Sequence, residues 1–169
     1  MAEKPKPAFP QSPDKTVSGG NGFILHTFFS DAVLPKKDFA NPCWPLTISQ
    51  KFHKGHSGLD ITGSYKSPIY SMENGVVEKA VFNNQYNSGF GNYLILDFGG
   101  EWKALYAHLS EVYVRKGEMV KRGQIIAGMG NTGRVFPPPT ASRPLNAVHL
   151  HAELRFDGEY VNILKYLKL

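Results

Sequence analysis

Val148-His149-Leu150-His151-Ala152-Glu153-Leu154-Arg155-Phe156 alternates apolar and polar side chains without a break. Successive side chains of an extended chain point to opposite faces. Leu150, Ala152, Leu154 and Phe156 therefore share one face, and His149, His151, Glu153 and Arg155 share the other. The apolar set is the core face, so both histidines point away from the core, into a cleft or solvent. Asp157-Gly158 then turns the chain into a short tail, Val161 to Leu169, for which helical character is expected.

Upstream, the same reading gives more strands. A strand-like pattern begins near Leu46. Ser67 to Tyr70 enters one short strand and Gly75 to Val81 forms the next. Asn92 to Phe98, the pair Gly99-Gly100, and Glu101 to His108 read as a tight hairpin. Val112 to Val114, Met119-Val120 and Gln124 to Met129 follow, punctuated by glycines. A faint echo links Ser67–Val77 with Gly117–Ile126: strand, short gap, glycine, strand. No long stretch keeps a 3.6-residue period. The expected fold is all-β and mainly antiparallel, with irregular loops.

With 169 residues, the chain suits one domain and a modest tail. Residues 1–20, rich in Lys, Pro, Ser and Gly, read as a flexible tail. Residues 21–45 mix aromatics with prolines and read as irregular structure packed on the domain, which then occupies 46–169. The net charge of +5 favours a polyanionic partner. No aromatic-plus-arginine motif of a nucleic-acid module is present, so nucleic acid is not the expected partner. Cys43 is the single cysteine, which excludes an intrachain disulfide and a cysteine-based zinc cluster. No apolar run is long enough to span a bilayer, and Met1 to Lys15 lacks the apolar core of a signal peptide.

The chemistry lies in the histidines. His56 precedes Asp60 by four residues, and His149 precedes His151 by two. Two histidines and a carboxylate at such spacings suit zinc, and three protein ligands leave a fourth position open, as in catalytic sites. His56 and Asp60 can face one way if their segment is extended, and Gly55 and Gly58 argue against a helix there. Each pattern alone has a bland alternative: a turn with incidental His and Asp, or a polar strand face that happens to hold two histidines. His108, in Tyr106-Ala107-His108-Leu109, read alone suits a packed structural histidine. His53 should face away from His56, and His26 has no partner motif.

Taken together and in order, His56…Asp60, Tyr106-Ala107-His108-Leu109, Gly130-Asn131-Thr132-Gly133 and His149-Leu150-His151 resemble the lysostaphin-type (LytM-like) zinc peptidases over roughly residues 45–165. The resemblance implies a duplicated-hybrid-motif-like fold with a groove over a large sheet. It implies that His56, Asp60 and His151 bind Zn²⁺ and that His108 and His149 are catalytic non-ligands. Either of those two, with a near-neutral pKa, is then expected to move a proton or, as imidazolium, to stabilise an oxyanion. The implied substrate is the stem or cross-bridge peptide of bacterial peptidoglycan, met at the cell wall. Anionic wall polymers would use the positive charge.

This chain departs from the family pattern in three ways. Arg134 to Val148 is a long connection containing Pro137-Pro138-Pro139 and Pro144, expected to be a stiff loop that helps select substrate. A tyrosine found before the first ligand in some relatives is absent from Ser49 to Phe52. No clear inhibitory segment is visible, although Asn21 or Asn41 is a conceivable occluding ligand. The missing export signal fits a phage-borne lysin or tail-tip enzyme, with a secreted enzyme stripped of its signal as the competing origin. Metal-free regulatory relatives and phosphohistidine sugar carriers are the rival functions.

Overall fold

The computed structural model describes residues 37–82 and 89–168. The expectations for residues 1–36, including the tail, Asn21 and His26, lie outside the described residues.

The strands are β1 (Thr47–Gln50), β2 (Leu59–Thr62), β3 (Pro68–Tyr70), β4 (Gly75–Val81), β5 (Tyr93–Asp97) and β6 (Trp102–Ala107). They continue with β7 (Leu109–Val112), β8 (Met119–Val120), β9 (Ile125–Met129), β10 (His149–Phe156) and β11 (Glu159–Val161). The large sheet runs β1-β2-β10-β6-β5-β4-β8, with β11 beside β10, and a second sheet runs β3-β9-β7. Every strand pairing is antiparallel. The expected all-β class holds.

Alternation builds the core. Leu150, Ala152 and Leu154 of β10, Leu59 and Ile61 of β2, Leu94 and Leu96 of β5, and Ala104 and Tyr106 of β6 are all buried. They meet Ile69, Ile126, Ala127 and Met129 of the smaller sheet in one cluster. Removing such apolar surface from water is the main favourable contribution to folding. Phe39 closes one end against Phe98 and Trp102, with ring centroids 5.6 and 5.2 Å away. The opposite face of the large sheet carries Asp60, His151, Glu153 and Leu105.

The sequence echo is structural. β3 pairs with β9 and β4 pairs with β8, so the first strand of each copy joins the second strand of the other. Reciprocal backbone bonds (Gly123 N–H to Ser71 O, Gly117 N–H to Val77 O) tie the copies together.

Two boundaries differ from the sequence reading. The strand expected at Val112 to Val114 is instead β7, which ends at Val112. It starts earlier because His108, at φ 61°, bends the chain out of β6 and delivers Leu109 straight to the smaller sheet. The chain end is strand before it is helix. Asp157 and Gly158, both at positive φ, reverse the chain so that β11 pairs with β10, and a 3₁₀ turn, Ile163–Lys165, follows.

Tyr106 shows how tightly the centre is specified. Its ring is fully buried and its hydroxyl accepts the Met72 amide at 3.0 Å. Tyr106→Phe strands that buried N–H and should cost about 1–3 kcal/mol, read as a lower urea midpoint with an unchanged slope.

Candidate metal centre and histidine pair

Strand register makes the first contact. His151 of β10 lies directly opposite Asp60 of β2, and such cross-strand neighbours are close enough to touch. His151 Nδ1 stands 2.7 Å from Asp60 Oδ1. His56 joins from a loop. His56 ends a turn, His53 to His56, closed by reciprocal backbone bonds between those two residues with Gly55 at φ 96°, and the segment expected to be extended is so only at Leu59 and Asp60, after a bend at Gly58. That turn places His56 Nε2 3.1 Å from the same oxygen of Asp60. Gly58 lets the loop lie on the His151 ring, since a Cβ there would sit 2.6 Å from Cε1. His53 does not face away as expected: the bridged turn brings its ring within 5.7 Å of the His56 ring, although its Nδ1 is engaged at 2.8 Å from the Lys54 carbonyl. Asn41 is buried away from this cluster, beside Trp44, Tyr70 and Arg122, and is not an occluding ligand.

The chemistry of the donors suits a cation. His56 Nδ1 faces the Lys51 carbonyl at 3.1 Å, and His151 Nε2 faces Glu153 Oε1 at 3.4 Å. Those acceptors call for N–H on the far nitrogens, which leaves a lone pair on His56 Nε2 and on His151 Nδ1. Both lone pairs then face one carboxylate oxygen. Three acceptor atoms meeting this closely are relieved by a proton or by a metal between them. His56, Asp60 and His151 each offer one ligand atom, all within 4.8 Å of one another.

A second pair sits beside this trio. The His108 and His149 rings are 4.7 Å apart, and His108 is 6.0 Å from His151. His108 Nδ1–H donates to the Thr132 carbonyl and His149 Nδ1–H to the Ala147 carbonyl, both at 2.8 Å. In the neutral ring each Nε2 then carries the lone pair. The Gly130-Asn131-Thr132-Gly133 segment organises both rings, because the Gly130 carbonyl also accepts the His149 amide at 3.0 Å. Its placement depends on a glycine interlock: a Cβ at Gly133 would sit 2.3 Å from Gly91 N, and one at Gly91 would sit 2.4 Å from Gly133 N. Phe90, carried on that loop, stacks against His151 at 5.9 Å.

Electrostatics separate the histidines. Burial, reinforced by His149, pushes His108 down to about 4 against the pull of the Thr132 carbonyl. The near-neutral value expected for His108 is thus corrected: it is a neutral acceptor and not an imidazolium at pH 7. Burial also acts to lower His151, but its bonds to Asp60 and Glu153 outweigh that and raise it to about 9. Asp60 is held below its ordinary value: burial opposes this, and the His151 bond and surrounding imidazoles overcome it. Neither Thr132 nor Glu153 stands out by residue spacing in the sequence. The polar phase of Glu153 on β10 was visible, but its complete burial was not.

These shifts fix how stability depends on pH. His108 stays neutral in the fold while the unfolded chain takes up a proton, so stability falls as pH drops from 6.5 toward 4. Taken whole, that displacement corresponds to about 3 kcal/mol. His151 acts oppositely: its contribution is present below pH 6.5 and is lost as pH rises through 9. Chelator-treated protein should therefore show its highest Tm near pH 6.5, and His108→Gln should flatten the upper part of the acid limb in a thermal melt series.

Comparison with known proteins gives a consistent assignment. The profile of Peptidase family M23 matches residues 54–163, a span that holds all five of these residues. The chain is 38% identical over 110 residues to peptidoglycan DD-endopeptidase ShyA of Vibrio cholerae, covering 65% of this chain and 22% of ShyA. It is 36% identical over 108 residues to lipoprotein NlpD of Yersinia enterocolitica, covering 64% of this chain and 97% of that sequence. A zinc-containing peptidase from Vibrio cholerae superposes with a TM-score of 0.61 at 29% identity, over 75% of this chain and 39% of that one. Lysostaphin from Staphylococcus simulans, 22% identical with a TM-score of 0.59 over 78% of this chain and 53% of its own, shares the fold.

Proposed function

The chain belongs to peptidase family M23, and from that membership we infer a zinc-dependent endopeptidase that cuts stem or cross-bridge peptide bonds of bacterial peptidoglycan at the cell wall. One observation carries this reading: Asp60 Oδ1 faces His56 Nε2 and His151 Nδ1 while both far ring nitrogens are engaged elsewhere. His56, Asp60 and His151 would hold the ion. When bound, zinc would supply Lewis acidity, polarising a peptide carbonyl and making water acidic near neutral pH.

The rest of the work belongs to the side chains. His108, neutral and anchored through Nδ1, offers Nε2 as a proton acceptor. His149 offers a second Nε2 beside it, so a proton has two sites within one ring contact. Phe90 covers the His151 ring and keeps water from that flank. Farther along the same sheet face lies a depression of about 390 Å³, lined by Glu78, Lys103, Arg155 and Asp157 among others. Lys103 is paired there with Glu78, and Arg155 with Glu153, so the depression offers a polar surface along the sheet face. The net charge of +5 supports attraction to anionic wall polymers.

The similarity to NlpD, and to the murein hydrolase activator of that name in Escherichia coli at 34% identity, favours one second reading: a regulator or wall-binding protein without hydrolysis. Zinc content and muropeptide release from purified peptidoglycan separate the two, with mass spectrometry of the fragments identifying the bond cut. His151→Ala and Asp60→Ala should each lose zinc and lysis; full zinc stoichiometry in either would mean a different ligand set. His108→Ala should keep its zinc and lose about 10²–10⁴-fold in turnover. Near-normal release by that variant would make His108 a packing residue.

The Arg134 to Val148 connection is proposed to shape selectivity. Asn131 Nδ2 donates to the Pro144 and Asn146 carbonyls at 2.9 Å each, and Asn146 Nδ2 to Pro138 O at 3.1 Å, so the loop is internally braced. Trimming it between residues 136 and 144 should change the ranking of peptides cut while zinc binding persists. A uniform loss on all peptides would argue against selectivity.

A further inference from the structure

Glu153 is a complete carboxylate side chain with no exposed surface, on the face of β10 that carries the metal-binding candidates. A charge so placed persists only if it is paired and hydrogen-bonded. Glu153 Oε1 accepts from Ser57 Oγ at 2.6 Å and faces His151 Nε2 at 3.4 Å. Its Oε2 accepts from Arg155 Nη2 at 2.7 Å. Arg155 is in turn held by β11: Nη2 donates to Tyr160 Oη at 3.0 Å, and the guanidinium sits 4.4 Å from the centre of the Tyr160 ring.

We propose that Glu153 is a positioning residue for the metal: one oxygen, Oε1, clamps the loop bearing His56 to the strand bearing His151 and selects the His151 tautomer that presents Nδ1. The proposal rests on the reading of His56, Asp60 and His151 as the ligand set. Ser57 directly follows His56, so its bond to Glu153 fixes the loop at its first ligand. An acceptor opposite Nε2 calls for hydrogen on that nitrogen and leaves Nδ1 bare toward Asp60. Carboxylate partners of this kind orient ligand rings and raise their donor strength. Arg155 and Tyr160 extend the clamp to the outer hairpin, so the order of β11 is coupled to the geometry of the site.

The test measures zinc affinity by competition with a chromophoric chelator, together with ¹⁵N NMR of the histidine rings in zinc-loaded protein. Glu153→Gln keeps the volume and loses the charge. It should weaken zinc binding about 10–100-fold, and the His151 ring should lose its single Nε2–H tautomer. Ser57→Ala should weaken zinc in the same direction, whereas Ser57→Thr, which keeps the hydroxyl, should bind as the wild type does. Should Glu153→Gln fail to fold, the Ser57 pair decides the matter. Zinc affinity within twofold of wild type in both Glu153→Gln and Ser57→Ala, with the tautomer unchanged, overturns the clamp alone. Wild-type protein that takes up no zinc removes the ligand set and the clamp together.

Discussion

His151 lies opposite Asp60 because β2 and β10 pair in one register, and the site depends on that alignment. Side chains on a strand alternate, so a slip of one residue would turn the whole polar set of β10 into the core. Leu150, Ala152 and Leu154 prevent the slip by being fully buried against Leu59, Ile61 and Tyr106. The hydrophobic pattern thus aims the imidazole. On the other side β6 pairs with β10 and sets Ala107 beside His151, a small residue that leaves room above the sheet.

The histidine pair depends on main chain instead. His108 and His149 are gripped through Nδ1 by carbonyls of Thr132 and Ala147. Thr132 is itself fixed, accepting the Asn92 amide and donating to the Leu109 carbonyl, both at 2.9 Å. His108 tolerates a left-handed backbone at φ 61° because these contacts hold it from several directions. One short glycine-flanked segment thus holds the His108 ring through Thr132 and the His149 backbone through Gly130.

Local features of this protein were readable and long-range ones were not. The alternation of β10 fixes its strand state and its two faces within nine residues. The His56–Asp60 spacing marks a ligand pair, yet His56 ends a turn bridged to His53 while Asp60 sits in β2, and spacing alone cannot tell a turn from a strand. Alternation also puts His149 and His151 on one face; only the neighbouring strands divide them, sending His151 to Asp60 and His149 to His108. The burial of Glu153 is not legible locally for the same reason: its hydrogen-bond partner Ser57 is 96 positions away in sequence. The echo between Ser67–Val77 and Gly117–Ile126 was visible as a pattern, but its reciprocal pairing needs the closed fold. The early onset of β7 was hidden because few L-residues accept the conformation His108 adopts.

The braced excursion that begins at Arg134 leaves the body just after one gripping carbonyl, Thr132, and returns at the other, Ala147, which itself sits at φ 51°. The two anchors are thus the ends of a single span. Insertions or deletions within it transmit directly to the spacing of the two imidazoles unless the returning residue regains its corner. In this architecture loop length and proton-handling geometry are mechanically linked, so lineages or designers exchanging the span must conserve its landing point more strictly than its contents.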